Sequence, residues 1–196
     1  AADACVSDQP GQVCTIMVAD CLPVLLAHRR LPVVAAAHAG WRGLAGEGGV
    51  GVLETVFARF VALVQARQAQ AAIPMQVQDA AAIAADTQAW LGPCIGPQAF
   101  EVGDEVRAAF CRQSPLAQRC FAPGAAPGKW WADLPGVARQ RLQALGQGAG
   151  LGGIYGNDGS DAWCTASDAQ RFFSHRRDAA LLGSTGRMAA CIWLEA

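Results

Sequence analysis

Three short apolar runs, residues 14–19, 22–27 and 33–38, follow one another with breaks of only a few residues. They are too short for helices, and Thr15, Ile16, Val18, Val24, Val33 and Val34 load them with β-branched side chains, so they read as buried strands. Pro23 stands at the start of the second run, where a missing N–H is tolerated. His28-Arg29-Arg30 before Pro32 is a polar break that reads as a hairpin tip, returning the third strand alongside the second. A chain that opens this way must be built on a sheet.

Gly40-Trp41-Arg42-Gly43-Leu44-Ala45-Gly46 then reads as a glycine-rich turn. From Val50 onward, Leu53, Val56, Phe57, Phe60, Leu63 and Val64 keep the spacing of one helix face. Strand, glycine turn and amphipathic helix in that order place functional groups at the carboxyl end of the strand. Further on, residues 80–85 read as a helix, 89–95 as a buried strand ended by Gly96-Pro97, and 104–112 as a short helix. Residues 123–128 are a Pro/Gly loop, 134–145 a helix, 146–153 its glycine-rich exit, and 188–194 a last apolar strand. Neither an internal repeat nor a linker divides the chain. The irregular alternation predicts an α+β architecture, a single compact domain of mixed β-sheets layered with helices, rather than a regular Rossmann fold.

Composition narrows the function. With 53% hydrophobic and 16% charged residues, the 196-residue chain has material for a real core and is not a disordered segment. Fifteen basic and sixteen acidic residues leave a net charge of −1, which offers nucleic acid or an anionic membrane no basic face. Arg, Gly or Pro interrupts every apolar run before the roughly 20 residues of a membrane span. Ala1-Ala2-Asp3-Ala4 lacks a leader's basic start, so a soluble, cytoplasmic protein is expected. Eight cysteines without a CxxC pair, in a chain this apolar, read as small buried side chains rather than a disulfide framework.

The chemistry concentrates at two strand ends. Asp20-Cys21 closes one strand and His38 another, and hairpin-related strands bring such ends together. A thiolate and an imidazole are ligands for Zn²⁺. They are equally a nucleophile and its base, or a buried Cys beside a turn with a His at a strand end. Two donors fall short of the three protein ligands of a catalytic zinc site. Gly40-Trp41-Arg42-Gly43 offers backbone N–H groups and a guanidinium before a helix, a form that suits an anion. His28, in the Arg-rich turn, is expected on the solvated surface. His175-Arg176-Arg177-Asp178 reads either as an ion-pair network or as a wall for anionic substrate. P-loop, HExxH and GxSxG patterns are absent from the sequence.

Taken together, these segments resemble one family. Val18-Ala19-Asp20-Cys21-Leu22-Pro23-Val24-Leu25 is similar to a "TADCLPVL" motif and His38-Ala39-Gly40-Trp41-Arg42-Gly43 to "HAGWRG". Leu91-Gly92-Pro93-Cys94-Ile95-Gly96-Pro97 with Phe100-Glu101-Val102-Gly103 resembles "LGPxIGP…FEVG". The segments from Phe172 to Asp178 and from Thr185 to Ala189 match "FFSxRRD…TGRMA". The family is the laccase-domain purine nucleoside phosphorylases, long labelled multicopper polyphenol oxidases.

The resemblance implies zinc held by two His and one Cys, of which Cys21 and His38 are two. The third ligand, in "QVHG", and an Arg in "TRxGG" fall upstream of Ala1, so an N-terminally truncated form of one domain, residues 1–196, is expected. It implies phosphorolysis of adenosine, inosine and methylthioadenosine, with adenosine deamination beside it, so purine nucleoside and phosphate are the expected partners. Arg42 or Arg176-Arg177 would hold phosphate, and Asp20 would orient a ligand or move a proton. His175 stands where several relatives carry Tyr and takes no role. Rival readings are a Cys-dependent hydrolase acting on cell-wall precursors, a binding module without catalysis, and a copper phenol oxidase. Three histidines are too few for a multicopper cluster, which disfavours the last.

Overall fold

The computed structural model describes residues 2–71 and 76–195. Strand β1 (Ala4–Ser7) precedes β2 (Cys14–Val18), and the hairpin of β3 (Leu22–His28) and β4 (Val34–Ala39) follows. The short α1 (Trp41–Ala45), the long α2 (Val52–Ala69) and α3 (Ala80–Ala85) lead to β5 (Thr87–Leu91). Next come β6 (Glu101–Gly103), α4 (Asp104–Cys111), β7 (Phe121–Pro123), β8 (Lys129–Ala132) and α5 (Leu134–Ala144). Strand β9 (Gly153–Gly156), α6 (His175–Leu182) and β10 (Met188–Ile192) complete the order.

The central sheet runs β1-β4-β3-β5-β9, antiparallel except for the parallel β5–β9 pair. Strands β10 and β2 form an antiparallel ribbon, and β6-β8-β7 a small antiparallel sheet. This is a mixed α/β architecture of several sheets layered with helices, as the irregular alternation predicts.

Two faces of the central sheet are covered differently, and period-2 alternation decides which residue goes where. Leu22, Val24 and Leu26 of β3, with Ala35, Ala37 and Ala39 of β4, enter one core with Leu53, Val56, Phe57, Phe60 and Val64 of α2. Alanines along β4 leave room for the helix to approach, and Phe60 is fully buried there. Removing its ring would cost about 3–5 kcal/mol. Ala36 faces the other way, packing with Cys14, Ile16 and Val18 of the ribbon, against which Leu25 and Cys21 also lie. Helix α2 begins near where the periodicity does, and the Glu54 carboxylate in its first turn accepts from the Gly51 N–H at 2.8 Å, which satisfies one main-chain donor at the helix start.

Several expectations are corrected. The strand expected over 89–95 is Thr87–Leu91, since Gly92 and Pro93 end it; the main chain of Cys94 instead forms an isolated parallel β-bridge with that of Cys164. His28 is buried rather than solvated, at 7% exposure, because it is the last residue of β3, paired with Thr87 and lying 6.4 Å from the Phe60 ring. Its Nδ1 accepts from the N–H of Arg30 and of Leu31, which closes the hairpin turn. Strands β1, β6, β7, β8 and β9 are additions to the sequence reading.

Candidate active site

The β3–β4 register builds the site. Pro23 stands opposite His38 and Leu22 opposite Ala39, so the next step of the ladder sets Cys21 against Gly40. A Cβ on Gly40 would lie 2.9 Å from the Cys21 Sγ and 3.7 Å from the His38 Cε1. Thiol and imidazole therefore converge over a stretch of main chain that only glycine leaves open. Both project from the sheet face that carries the β2–β10 ribbon. His38 donates its backbone N–H to the Asp3 carbonyl at 2.7 Å, and its Nδ1 lies 3.5 Å from an Asp3 carboxylate oxygen. Asp3, the residue before β1, thus holds His38 from the side.

Burial pushes the Cys21 thiol up; the Asp20 carboxylate adds to this, the Arg187 guanidinium opposes it, and Asp3 raises it again. The resting thiol is protonated, and a metal would displace that proton on binding. Arg187 reaches this neighbourhood because Met188, the next residue, pairs with Val18 at the end of β2, just before Asp20-Cys21. In the sequence Arg187 lies within the Thr185–Ala189 motif, which assigns it no role. Its only signal was its place one residue before an apolar strand.

Asp20 is buried and sits at φ 81°, a left-handed conformation unusual outside glycine. Its backbone carbonyl accepts from the Ile95 N–H at 2.9 Å. Its carboxylate accepts from the Thr165 hydroxyl and from the Arg176 N–H, each at 2.6 Å. The second contact caps the first turn of α6, where a carboxylate is favoured by the helix dipole. Bonded through both oxygens, Asp20 ties the turn on which Cys21 rides to Thr165 and to the start of α6. Its strained φ, worth of order 1–3 kcal/mol, is held by these three contacts.

The remaining candidates divide. Arg42 is exposed, with its guanidinium 4.5 Å from the centre of the Trp41 ring. Arg176 donates to the carbonyls of Ala99 and Glu101. Arg177 is spent on Asp178 and on the carbonyls of Thr165 and Phe172. These two arginines make an ion-pair and main-chain hydrogen-bond network, and His175 is exposed at the start of α6.

A thiol and an imidazole fit zinc by donor type. Among the described residues no group of three His, Cys, Asp or Glu side chains is arranged to hold a metal.

A layered mixed α/β domain with a Cys–His pair at adjacent strand ends defines the class to which the chain is compared. The sequence pattern described as multi-copper polyphenol oxidoreductase laccase matches residues 1–195, and the chain belongs to that family. It is 43% identical over 195 residues to a purine nucleoside phosphorylase of Pseudomonas aeruginosa, covering 99% of this chain and 65% of that protein. It is 43% identical over 193 residues to the purine nucleoside phosphorylase YfiH of Escherichia coli, covering 98% of this chain and 64% of the relative. A Neisseria meningitidis protein of known structure superposes over the whole chain and 65% of its own, with a TM-score of 0.75 at 42% identity. A Bacillus licheniformis protein, YfiH, gives 0.72 at 30% identity, over 100% of this chain and 62% of its own. The chain thus spans less than two thirds of the length of these relatives.

Proposed function

We propose that this chain carries the metal-binding core of a zinc-dependent purine nucleoside phosphorylase. It would take adenosine, inosine or methylthioadenosine with inorganic phosphate, and deaminate adenosine as a second activity. The observation that carries this reading is the convergence of the Cys21 thiol and the His38 imidazole over Gly40, in a chain 43% identical to proteins named purine nucleoside phosphorylase.

Cys21 and His38 would hold the ion, with further donors completing its coordination. Bound zinc supplies a Lewis acid and a water of lowered pKa. Asp3 faces the imidazole with its carboxylate and holds the His38 main chain through its carbonyl, and Asp20 holds the turn that aims the thiol. Arg187 brings positive charge to the same spot, and Arg42 with the Gly40–Gly43 main chain completes a cradle for phosphate. Zinc is favoured over copper because a mixed S/N pair suits it, and three histidines cannot furnish a multicopper cluster. A cysteine-dependent hydrolase needs a stabilised thiolate, and a thiol pushed up by burial works against that chemistry.

Among the described residues no helix is long and apolar enough to cross a membrane. A cytoplasmic location fits this reading, since eight cysteines without a disulfide suit a reducing compartment.

The test is product analysis with and without phosphate. Phosphorolysis releases free base and ribose 1-phosphate only when phosphate is present. Equal nucleoside loss in phosphate-free buffer, with ribose as the product, overturns this reading and promotes the hydrolase.

A further inference from the structure

A hydrogen-bond network borders the Cys21–His38 site, and one ion pair stands at its centre. Arg177 and Asp178 lie side by side in the first turn of α6, and all three nitrogens of the Arg177 guanidinium donate. Nε and Nη2 reach the two Asp178 carboxylate oxygens, at 2.6 and 3.0 Å. Nη2 also donates to the Phe172 carbonyl at 2.8 Å, and Nη1 to the carbonyls of Thr165 at 2.9 Å and Ala166 at 3.3 Å. The Asp178 carboxylate accepts in turn from the Ser174 N–H and the Thr185 hydroxyl, each at 3.1 Å. The Arg177 guanidinium and then the Ser174 N–H hold its carboxyl below the ordinary range, so it stays a charged acceptor at neutral pH.

Two arms leave this pair, and both end at Cys21. The first runs through Thr165, which is fully buried. Arg177 grips its carbonyl, while its hydroxyl donates to Asp20, the residue before Cys21, at 2.6 Å. The second runs through Thr185. Asp178 holds the Thr185 hydroxyl, and the Arg187 guanidinium folds back onto the carbonyls of Thr185 and Gly186, at 3.3 and 3.0 Å. A Cβ on Gly186 would lie 2.7 Å from the Phe173 ring, so this segment has little room to shift. Met188 then pairs with Val18, which brings Arg187 beside Asp20-Cys21. Apolar packing cannot set these positions, because α6 buries none of its side chains. A bidentate Arg–carboxylate pair fixes direction as well as distance, which a lysine ammonium does not.

We propose that Arg177 and Asp178 are the positioning pair of the Cys21–His38 site. They hold in mutual register the Asp20 turn that carries the thiol and the Thr185–Arg187 segment that brings a guanidinium to it. The inference rests on Cys21 and His38 being the site, but it concerns neither zinc nor nucleoside, and its test is read on the chain free of both.

The experiment is a double-mutant cycle on alkylation of Cys21 by iodoacetamide at pH 8, resolved by mass spectrometry of its peptide. Exposed Cys191 reports the reagent in every variant, and fully buried Cys94 reports any loss of fold. Arg187→Ala alone should slow Cys21 alkylation about two- to fivefold, the effect of one screened charge. In Thr185→Val and in Asp178→Asn, which both release Arg187, the same substitution should have no further effect. Amide exchange followed by NMR reads the other arm at Ile95 and Arg176, whose N–H groups both end on Asp20. It should quicken about tenfold in Asp178→Asn and in Arg177→Lys, as when one charge-assisted hydrogen bond is lost, and stay at the wild-type rate in Thr185→Val. A pair that only steadies α6 would quicken exchange and leave the Arg187 effect at full size in both backgrounds, which overturns the proposal. So does an Arg187→Ala rate equal to wild type, or exchange at Ile95 and Arg176 unmoved by Arg177→Lys. A chain that shows the predicted cycle but no phosphorolysis keeps the positioning pair and loses only the nucleoside reading. An additive cycle in a chain that carries out phosphorolysis removes only the pair.

Discussion

Gly40 faces Cys21 across the β3–β4 pair so closely that a methyl group on it would sit 2.9 Å from the thiol sulfur. The backbone of Gly40 is ordinary, at φ −73°, so space alone, not conformation, demands glycine there. An added methyl would meet the free end of a Cys side chain, which can rotate away.

Gly40→Ala should therefore cost less than about 1 kcal/mol of stability while turning the thiol away from His38. Chelator competition should show zinc affinity falling about tenfold or more, because a ligand aimed elsewhere no longer shares the ion. A variant that binds zinc as wild type does would remove Cys21–His38 convergence as the basis of the site.

Asp20→Ala removes two hydrogen bonds to a buried carboxylate and should lower unfolding free energy by about 3 kcal/mol, at about 1.5 kcal/mol for each charge-assisted bond. Asp20→Asn should lose about half as much. Its amide oxygen can still accept from the Arg176 N–H, while its NH₂ donates to the Thr165 hydroxyl. Urea denaturation of the pair reads both numbers.

His28 makes stability depend on pH. Burial lowers its pKa against the opposing pull of Asp86, with Arg30 adding to the lowering. The unfolded chain therefore binds a proton more readily than the folded one. The contribution of neutral His28 is intact above the ordinary histidine range and declines as pH falls below about 6.5. His28→Asn, which keeps an acceptor for the Arg30 and Leu31 N–H groups, should flatten this part of the profile. Denaturation midpoints from pH 5 to 8 on both proteins provide the check.

Arg187→Ala removes the one positive charge that draws the Cys21 thiol down. The thiol should then titrate higher, and alkylation of Cys21 at pH 8 should slow about two- to fivefold, the effect of one screened charge near the surface. Site-resolved mass spectrometry of the alkylated peptide measures it. An unchanged rate would show that Arg187 exerts no field at the sulfur.

Local pattern determined a definite part of this protein. The β3–β4 hairpin followed from two apolar runs around His28-Arg29-Arg30. Helix α2 followed from the spacing of Leu53, Val56, Phe57, Phe60 and Val64, and the Cys21–His38 encounter from their places at paired strand ends. Each is a relation between neighbours in sequence or across one short hairpin, where periodicity and turn chemistry act directly. Strands β1, β6, β7, β8 and β9, none longer than four residues, carry too little alternation to be read; partners recruit them into sheets.

Long-range packing decided the rest. Two arginine neighbours made His28 look solvated, yet β5 and Phe60 enclose it. Asp20 is expected to orient a ligand or move a proton, and only the fold shows that Thr165 and Arg176, 145 and 156 positions away, donate to its oxygens. Arg187 reaches Cys21 only because β10 returns to pair with β2. What a charged or polar side chain does depends on which distant groups satisfy it once water is excluded. No local pattern in a single chain encodes those partners, so hydrophobic spacing gave the scaffold while tertiary contacts assigned the polar roles.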